Sequence, residues 1–201
     1  MVRVHYHILF VAAVLLLSTG LAAGENSLER CIICHSADGN GATKEIPVIA
    51  GQKVDYLKAQ LVRFRSSDRK HAIMQNQSRY LTDAEIDRIA NYFATKVCQQ
   101  PAKSLEYPVS VHLLANCLNC HGGREPDMSR NLPNLAGQRV GYLVRQLLVF
   151  RESAMKTAGI RRVVRTHPIM AEFARNLSTQ DILTVANYFN GLGCGPQMGR
   201  R

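Results

Sequence analysis

The sequence predicts an all-α protein made of two tandem helical domains. Three observations predict this fold: a five-residue motif that occurs twice, a longer repeat around both copies, and apolar residues with the spacing of a helix face. No segment shows the alternation of apolar and polar residues that is typical of a half-buried strand. The chain of 201 residues is long enough for two small domains.

The repeated motif is C-x-x-C-H, at residues 31–35 and again at residues 117–121. On a helix, the two cysteines and the histidine of such a motif lie on one face. The thiols can then bond the two vinyl groups of a haem, and the imidazole can reach the iron. The motif therefore predicts two covalently bound haem c groups. The residues that would bind them are Cys31, Cys34 and His35 in the first copy, and Cys117, Cys120 and His121 in the second.

A zinc site and a thioredoxin-like redox pair are the alternatives for these cysteines, and both stay open at this point. Zinc requires a fourth ligand at an ordered spacing. A redox C-x-x-C is expected in a βαβ setting, which the helical patterns do not supply. The sequence favours haem over both.

The N-terminus has the pattern of a secretory signal peptide over residues 1–23. Arg3 precedes an apolar run at residues 8–17, and small residues follow. An uncleaved membrane anchor is the alternative, although the run is short for a bilayer span. Export agrees with the attachment of haem c, which cells carry out outside the cytoplasm. We therefore expect a periplasmic protein, with peripheral association at a membrane left open.

The repeat extends well beyond the motif and divides the chain. The segment P-x-x-A-G-Q begins at Pro47 and returns at Pro133, 86 positions later. Ten extra residues between Arg151 and Met170 then raise the offset to 96. We expect a first domain at 24–98, a linker with two prolines at 99–109, and a second domain at 110–201.

Helix signals follow in the same order in both copies. One helix face is predicted by Tyr56, Leu57, Gln60, Leu61 and Phe64, and its repeat by Tyr142, Leu143, Leu147 and Phe150. A capping box opens the last helix of each copy, from Thr82 to about Ala94 in the first and from Ser178 in the second.

The net charge of +10 at pH 7 bears on the partners. An excess of cations can attract an acidic redox protein, an anionic membrane surface or nucleic acid. Export argues against nucleic acid as a partner. The insertion in the second copy is especially basic, and we expect it to help dock an acidic partner through Arg151, Lys156, Arg161, Arg162 and Arg165.

Met74 and Met170 are the candidates for the second axial ligand of each haem. They occupy equivalent positions, each eight residues before the N-cap of the last helix, in what the sequence suggests are polar, non-helical surroundings. His71 and His167 are equivalent as well, three residues before each methionine. The spacing alone therefore leaves bis-histidine ligation open.

Taken together, these motifs resemble those of the two-haem cytochrome c4 family, which is built from two class I cytochrome c domains. The resemblance spans about residues 28–192. It implies that each domain wraps around one haem, that the domains are related by a pseudo-two-fold axis, and that the haem propionate edges face each other across the interface. It also implies iron ligation by His35 with Met74 and by His121 with Met170. The carbonyls of Pro47 and Pro133 are implied to orient the two histidines.

The resulting functional hypothesis is an electron carrier without enzymatic activity. It would take electrons from a quinol-oxidising complex or a periplasmic dehydrogenase and pass them to a terminal oxidase or another acceptor. The alternative is a haem subunit held permanently in a periplasmic dehydrogenase complex. A haem enzyme such as a peroxidase is a third hypothesis, and it requires one five-coordinate iron.

Cys98 and Cys194 remain after haem attachment, one in each domain. Three states are open for them: a bridge between the domains, buried free thiols, or an intermolecular bond. Because the two positions are equivalent, they can form a bridge only near the pseudo-two-fold axis, with Cα atoms within about 7 Å.

We predict that both haem groups stay on the chain after extraction with acid and organic solvent, because thioether bonds survive this treatment. The intact mass of the extracted wild type should include two haems. Cys34→Ala and Cys120→Ala should each weaken attachment at one site only. Haem that extracts freely from the wild type would contradict the covalent attachment.

Overall fold

The computed structural model describes residues 25–103, 110–121, 131–155 and 165–194. The predicted signal peptide at 1–23, the linker segment 104–109 and the cations Lys156, Arg161 and Arg162 lie outside these described residues. Within the described ranges every regular secondary-structure element is a helix. The one strand-like pairing there is an isolated antiparallel bridge between Arg69 and Arg165. The all-α prediction is therefore confirmed.

Within the part of the chain that the structure describes, each domain contains four helices in the same order. The first domain contains α1 (Glu25–His35), α2 (Val54–Arg65), α3 (Ala72–Ser78) and α4 (Asp83–Ala94). The second contains α5 (Val111–His121), α6 (Val140–Met155), α7 (Pro168–Ala174) and α8 (Thr179–Gly191). Each C-x-x-C-H motif forms the last turn of the first helix in its domain, as the motif requires. None of these described helices is long and apolar enough to cross a bilayer.

The last helix of each domain begins at the predicted capping box. Thr82 Oγ1 accepts a hydrogen bond of 3.2 Å from the Glu85 N–H, and the Glu85 carboxylate accepts one of 2.8 Å from the Thr82 N–H. Ser178 and Asp181 exchange the same two bonds, at 3.0 and 2.9 Å. A good N-cap contributes about 1 kcal/mol to stability. The caps thus fix where α4 and α8 begin.

The core of each domain lies between its second and fourth helices. In the first domain it is formed by Leu57 and Leu61 of α2 with Ile86, Ile89 and Phe93 of α4. In the second, Leu143 of α6 packs with Val185, Ala186 and Phe189 of α8, and Leu114 of α5 joins this core. The helices with the C-x-x-C-H motifs pack against these cores through half-buried residues, Cys31 and Ile32 in α1 and Cys117 and Leu118 in α5. The motif therefore lies at the border of each apolar core.

The predicted single face of α2 is in fact two faces. Leu57, Leu61 and Phe64 are buried in their own domain. Tyr56 and Gln60 instead accept hydrogen bonds of 3.3 and 3.2 Å from Arg165 of the second domain. Adjacent residues on a helix are rotated by about 100°, so Tyr56 can point to one neighbour while Leu57 points to another.

The expectation that Met74 and Met170 lie outside helices was wrong. Met74 lies in α3 and Met170 in α7, each a helix of seven residues. These helices are too short to show apolar periodicity, and their caps are histidines, which the usual capping signals do not include. His71 and His167 accept from the backbone N–H groups of Met74 and Met170, each at 3.4 Å.

The two domains are joined by a disulfide between Cys98 and Cys194, whose Cα atoms are 5.7 Å apart. Cys194 also exchanges contacts with the segment after Cys98. Its N–H donates to the Gln100 carbonyl at 2.8 Å, and its Sγ accepts from the Gln100 N–H at 3.1 Å. Of the three states that the sequence left open, the structure therefore has the interdomain bridge. None of the other four cysteines is in a disulfide, so both pairs of the C-x-x-C-H motifs are available for haem attachment.

We predict that the double variant Cys98→Ser, Cys194→Ser loses up to about 4 kcal/mol in free energy of unfolding, because the bridge closes a long loop in the unfolded chain. The loss should appear as a lower midpoint in denaturant titration. As a control, alkylation of the unreduced, denatured wild type should label neither cysteine, and labelling of both would contradict the bridge.

Candidate haem sites

The second domain brings together all the residues that the sequence assigned to one haem. His121 ends α5, and its Nδ1 lies 3.1 Å from the Pro133 carbonyl oxygen. A carbonyl oxygen can only accept, so Nδ1 carries the proton and Nε2 is left with its lone pair free for a metal. Cys117 is half-buried and Cys120 is exposed on the same helical turn.

The first domain places its residues in the same way, with one difference. His35 ends α1, with Cys31 half-buried and Cys34 exposed. The His35 Nδ1 is buried and has no hydrogen-bond partner within the described part of the chain. The Pro47 carbonyl is nevertheless close enough to act on the imidazole. The predicted contact of His35 with Pro47 is thus looser than that of His121 with Pro133.

Burial keeps both histidines neutral. It lowers the pKa of His35 and of His121 below the ordinary value, and the carbonyls of Pro47 and Pro133 oppose this only in part. Both rings also pack edge-on against phenylalanines, His35 on Phe93 and His121 on Phe189. A neutral and fixed imidazole is what a metal ligand requires.

Burial also raises the pKa of the half-buried thiol in each motif, Cys31 and Cys117. Both thiols are therefore protonated at neutral pH. Net addition of a thiol across a vinyl group places sulfur on one vinyl carbon and the proton on the other, so both residues can form the thioether bonds of haem c without an oxidant.

Met74 and Met170 both lie where they can take part in these sites. Met74 is half-buried and packs on the core cluster to which Cys31 and Ile32 also belong. Met170 lines a cavity together with Cys117, Cys120 and His121. The alternative ligand His167 lines the same cavity. However, the Nδ1 atoms of His71 and His167 are already used in capping α3 and α7, so ligation by either histidine would be through Nε2 alone.

The cavity in the second domain has the size and lining that a flat apolar cofactor requires. Its volume is about 410 Å³. Most of its wall is apolar, with Leu132, Leu135, Leu143, Leu147, Phe150 and Phe189 among its residues. Typical cofactor pockets are apolar with a few convergent polar groups. The polar lining residues of this cavity include Arg165 and, from the first domain, Gln52, Tyr56 and Gln60.

Arg165, Tyr56 and Gln60 belong to a cluster around two buried arginines between the domains. Arg69 donates to Gln60 at 2.8 Å within its own domain, and to Tyr142 and Gln146 of the second domain at 2.9 and 3.0 Å. Arg165 mirrors it, donating to Gln146 and, across the interface, to Tyr56 and Gln60. The guanidiniums lie over the rings of Phe64 and Phe150.

These two cations are 7% and 8% exposed, and all of their hydrogen-bond partners named above are neutral. Burial opposes ionisation of Tyr142, but Arg69 and Arg165 outweigh it and lower the pKa of that hydroxyl. The cluster is therefore strongly suited to anions. Haem has two propionate groups opposite its vinyl edge. A cavity lined by both thiols of the motif and by the buried Arg165 fits this group.

The sequence analysis missed the role of this cluster. Arg165 was expected on a docking surface but is buried between the domains, so that expectation was wrong for Arg165. Arg151 is likewise engaged, donating to the Leu177 carbonyl at 2.8 Å. A signal was present, because Arg69 and Arg165 differ by the repeat offset of 96. A charge kept at equivalent positions of both copies could have marked them.

The geometry described above is that of a protein with two helical haem-binding domains. Comparison with known proteins agrees with it. The sequence model of the family described as "Cytochrome c" matches residues 21–96 and again residues 111–193. Cytochrome c4 of Pseudomonas aeruginosa is 30% identical over 183 residues, which cover 85% of this chain and 88% of the relative. The chain therefore belongs to the cytochrome c family and, within it, to the two-haem cytochromes c4.

Two further similarities are informative. A protein of Stutzerimonas stutzeri named "thiosulfate dehydrogenase electron acceptor" is 29% identical over 217 residues, covering 96% of this chain and 97% of the relative. The crystal structure of reduced cytochrome c4 from Pseudomonas stutzeri superposes with a TM-score of 0.62 at 25% identity, covering 84% of this chain and 98% of that one. The chain is accordingly a two-haem electron-transfer cytochrome with two covalent haem c groups.

We predict that Met170→His lowers the potential of one haem and removes about half of the sulfur-to-iron charge-transfer band, because imidazole replaces thioether on one iron only. Met74→His is the matched variant and should act on the other haem. Spectra of the oxidised proteins and redox titrations check both. If the oxidised wild type lacks the band, His71 and His167 become the better ligands.

Proposed function

We propose that this cytochrome is an exported carrier that takes electrons from a quinol-oxidising complex or a periplasmic dehydrogenase and delivers them to a terminal oxidase or another acceptor. The observation that supports this most directly is the presence, in each domain, of both a histidine and a methionine at the site. When bound, haem c supplies a reversible one-electron step between ferric and ferrous iron. Two strong protein ligands leave no position for a substrate, which favours outer-sphere transfer.

The proposed ligands are His35 with Met74 and His121 with Met170, attached through the cysteine pairs described above. Pro133 supports this assignment, because its carbonyl holds the His121 Nδ1–H at 3.1 Å and so directs Nε2 away from the loop. Pro47 is proposed to do the same for His35.

The buried arginines support a role in binding the haem carboxylates. Arg165 lies in the wall of the second-domain cavity, and Arg69 bonds the same two glutamines as Arg165 does. We assign both arginines to the propionates, which would compensate their charge. This arrangement would place the carboxylate edges of the two haems at the interface and hence close to each other, as transfer between the domains requires.

Export to the periplasm is supported by the chemistry of the cysteines. Disulfides persist in oxidising compartments, and the bridge between Cys98 and Cys194 fits such a location. The proposed division is a signal peptide at 1–23, domains at 24–98 and 110–201, and a linker at 99–109. The partners are redox proteins rather than nucleic acid, and peripheral association with a membrane is consistent with the net charge of +10.

A second candidate function is that of a partner for one dehydrogenase, either as its dedicated acceptor or as a permanent subunit. The relative from Stutzerimonas stutzeri that matches nearly the whole chain favours it, because that protein is named as the electron acceptor of thiosulfate dehydrogenase. Purification distinguishes the two candidates. A free carrier elutes by itself in size-exclusion chromatography, whereas a permanent subunit elutes with its enzyme.

We predict that a quinol-oxidising complex reduces both haems of the purified protein and that a terminal oxidase reoxidises them, with rates that fall as salt rises because the cytochrome is basic. Stopped-flow absorbance measures both steps. Thiosulfate with its dehydrogenase serves as the donor that tests the second candidate.

Carbon monoxide is the control for an open iron position. The reduced wild type should not bind it when both axial positions are filled by protein. Binding of carbon monoxide at one haem, together with a failure of both donors to reduce the protein, would contradict the carrier and favour a haem enzyme.

A further inference from the structure

The two P-x-x-A-G-Q loops meet at the interface and exchange their glutamines. Gln52 donates from Nε2 to the Asn134 carbonyl at 3.0 Å and accepts at Oε1 from the Asn134 N–H at 2.9 Å. Gln138 forms the same pair with Val48, at 2.8 and 2.9 Å. Each glutamine is thus bonded to the residue that follows the proline of the other domain. Both side chains are buried, with 7% and 6% exposed.

Each loop turns at a glycine, and the turn directs the following glutamine toward the other domain. Gly51 has a φ of 65° and Gly137 a φ of 71°, in the left-handed region where a side chain is strained. Each glycine directly precedes its glutamine. At Gly137 a Cβ atom would also lie 2.7 Å from the Cys194 sulfur. The glycine therefore permits both the turn and the close approach of the disulfide.

Gln52 and His121 form hydrogen bonds to the same peptide group, from opposite sides. The Asn134 N–H and the Pro133 carbonyl belong to a single peptide group, which is planar and conjugated. That carbonyl accepts the hydrogen bond from His121 Nδ1 at 3.1 Å. An acceptor on the N–H side of a peptide polarises the group and makes its carbonyl a stronger acceptor. Gln52 therefore acts on His121 through one peptide.

We infer that Gln52 of the first domain is a positioning residue for the iron ligand His121 of the second domain, and that it tunes that haem across the interface. The inference rests on the proposed ligation of iron by His121. A stronger hydrogen bond at Nδ1 gives the imidazole more anionic character, which stabilises ferric iron and lowers the potential. Loss of the Gln52 bond raises the potential of the second-domain haem.

The first domain supplies an internal control. Gln138 holds Val48 in the same way, but the next step is weaker, since the contact of His35 Nδ1 with the Pro47 carbonyl is looser than a regular hydrogen bond. Both glutamines also form the same local hydrogen bond. The Oε1 of Gln138 accepts from the Arg139 N–H just before α6, and that of Gln52 accepts from the Lys53 N–H just before α2. Removing either glutamine thus loosens the interface to a similar extent, but only Gln52 has the bond chain to His121.

The test compares Gln52→Met with the matched control Gln138→Met in the full-length holoprotein. Methionine has a similar size and removes both amide hydrogen bonds. In the ferrous protein, the proton on His121 Nδ1 is followed by NMR, with haem signals assigned through contacts to residues of each domain. Gln52→Met should move this proton upfield, speed its exchange with solvent, and raise the potential of the second-domain haem in a redox titration.

Gln138→Met should leave the His121 proton in place. Gln52→Glu keeps an acceptor oxygen facing the Asn134 N–H, so it should retain the wild-type signal or move it downfield. This variant provides the test if Gln52→Met folds poorly. Equal shifts of the His121 signal in the two methionine variants would show mere loosening of the interface and overturn the inference. So would an unchanged His121 signal in Gln52→Met.

The proposed carrier function is judged separately, on the wild type. Two reversible one-electron steps and exchange with donor and acceptor belong to that function. The relay is judged only from differences between the variants and the wild type at His121, so the two proposals fail on different measurements.

Discussion

The interface between the domains depends on two like charges buried side by side. Arg69 and Arg165 bond the same Gln60 oxygen, at 2.8 and 3.2 Å, so their nearest nitrogens are at most about 6 Å apart. At an effective dielectric constant of 20, two unit charges at that separation repel by roughly 3 kcal/mol. Glutamine and tyrosine dipoles and two phenylalanine rings reduce this cost but carry no opposite charge. The interface therefore favours bound carboxylates, which links the packing of the two domains to the cofactor.

The small size of each domain also makes its stability depend on the bound cofactor. Domains of this length bury a modest share of their surface and often need a cofactor, a metal or a disulfide. This chain has two of these supports. The bridge between Cys98 and Cys194 restrains the unfolded chain, and a haem bound in the second-domain cavity would cover Leu143, Leu147 and Phe189. The arginines then tie the two domains together, because each guanidinium reaches into the other domain.

The sequence was sufficient wherever structure is decided locally. The C-x-x-C-H motifs, the capping boxes at Thr82 and Ser178, and the repeat predicted the helices and the haem-binding cysteines, because each depends on contacts within a few residues. It was not sufficient for contacts between the copies. Tyr56 and Gln60 were assigned to the apolar face of α2, and Arg165 to a docking surface. The helical period cannot tell which neighbour a half-buried side chain meets, and only the docked domains show that these residues face each other.

Duplication explains why the interface is built from exchanged pairs. In a pseudo-two-fold arrangement a residue near the axis meets its own counterpart, as Cys98 meets Cys194, whereas one further away meets a different residue, and the pair occurs twice. Gln52 on Asn134 and Gln138 on Val48 are such a pair, and Arg69 on Tyr142 mirrors Arg165 on Tyr56. The symmetry is imperfect near the haem sites, since His121 Nδ1 lies 3.1 Å from its proline carbonyl whereas the contact of His35 with Pro47 is looser. The duplicated loop thus holds its two histidines with different closeness, and hydrogen bonding to a ligating imidazole is one of the means by which a protein tunes a haem.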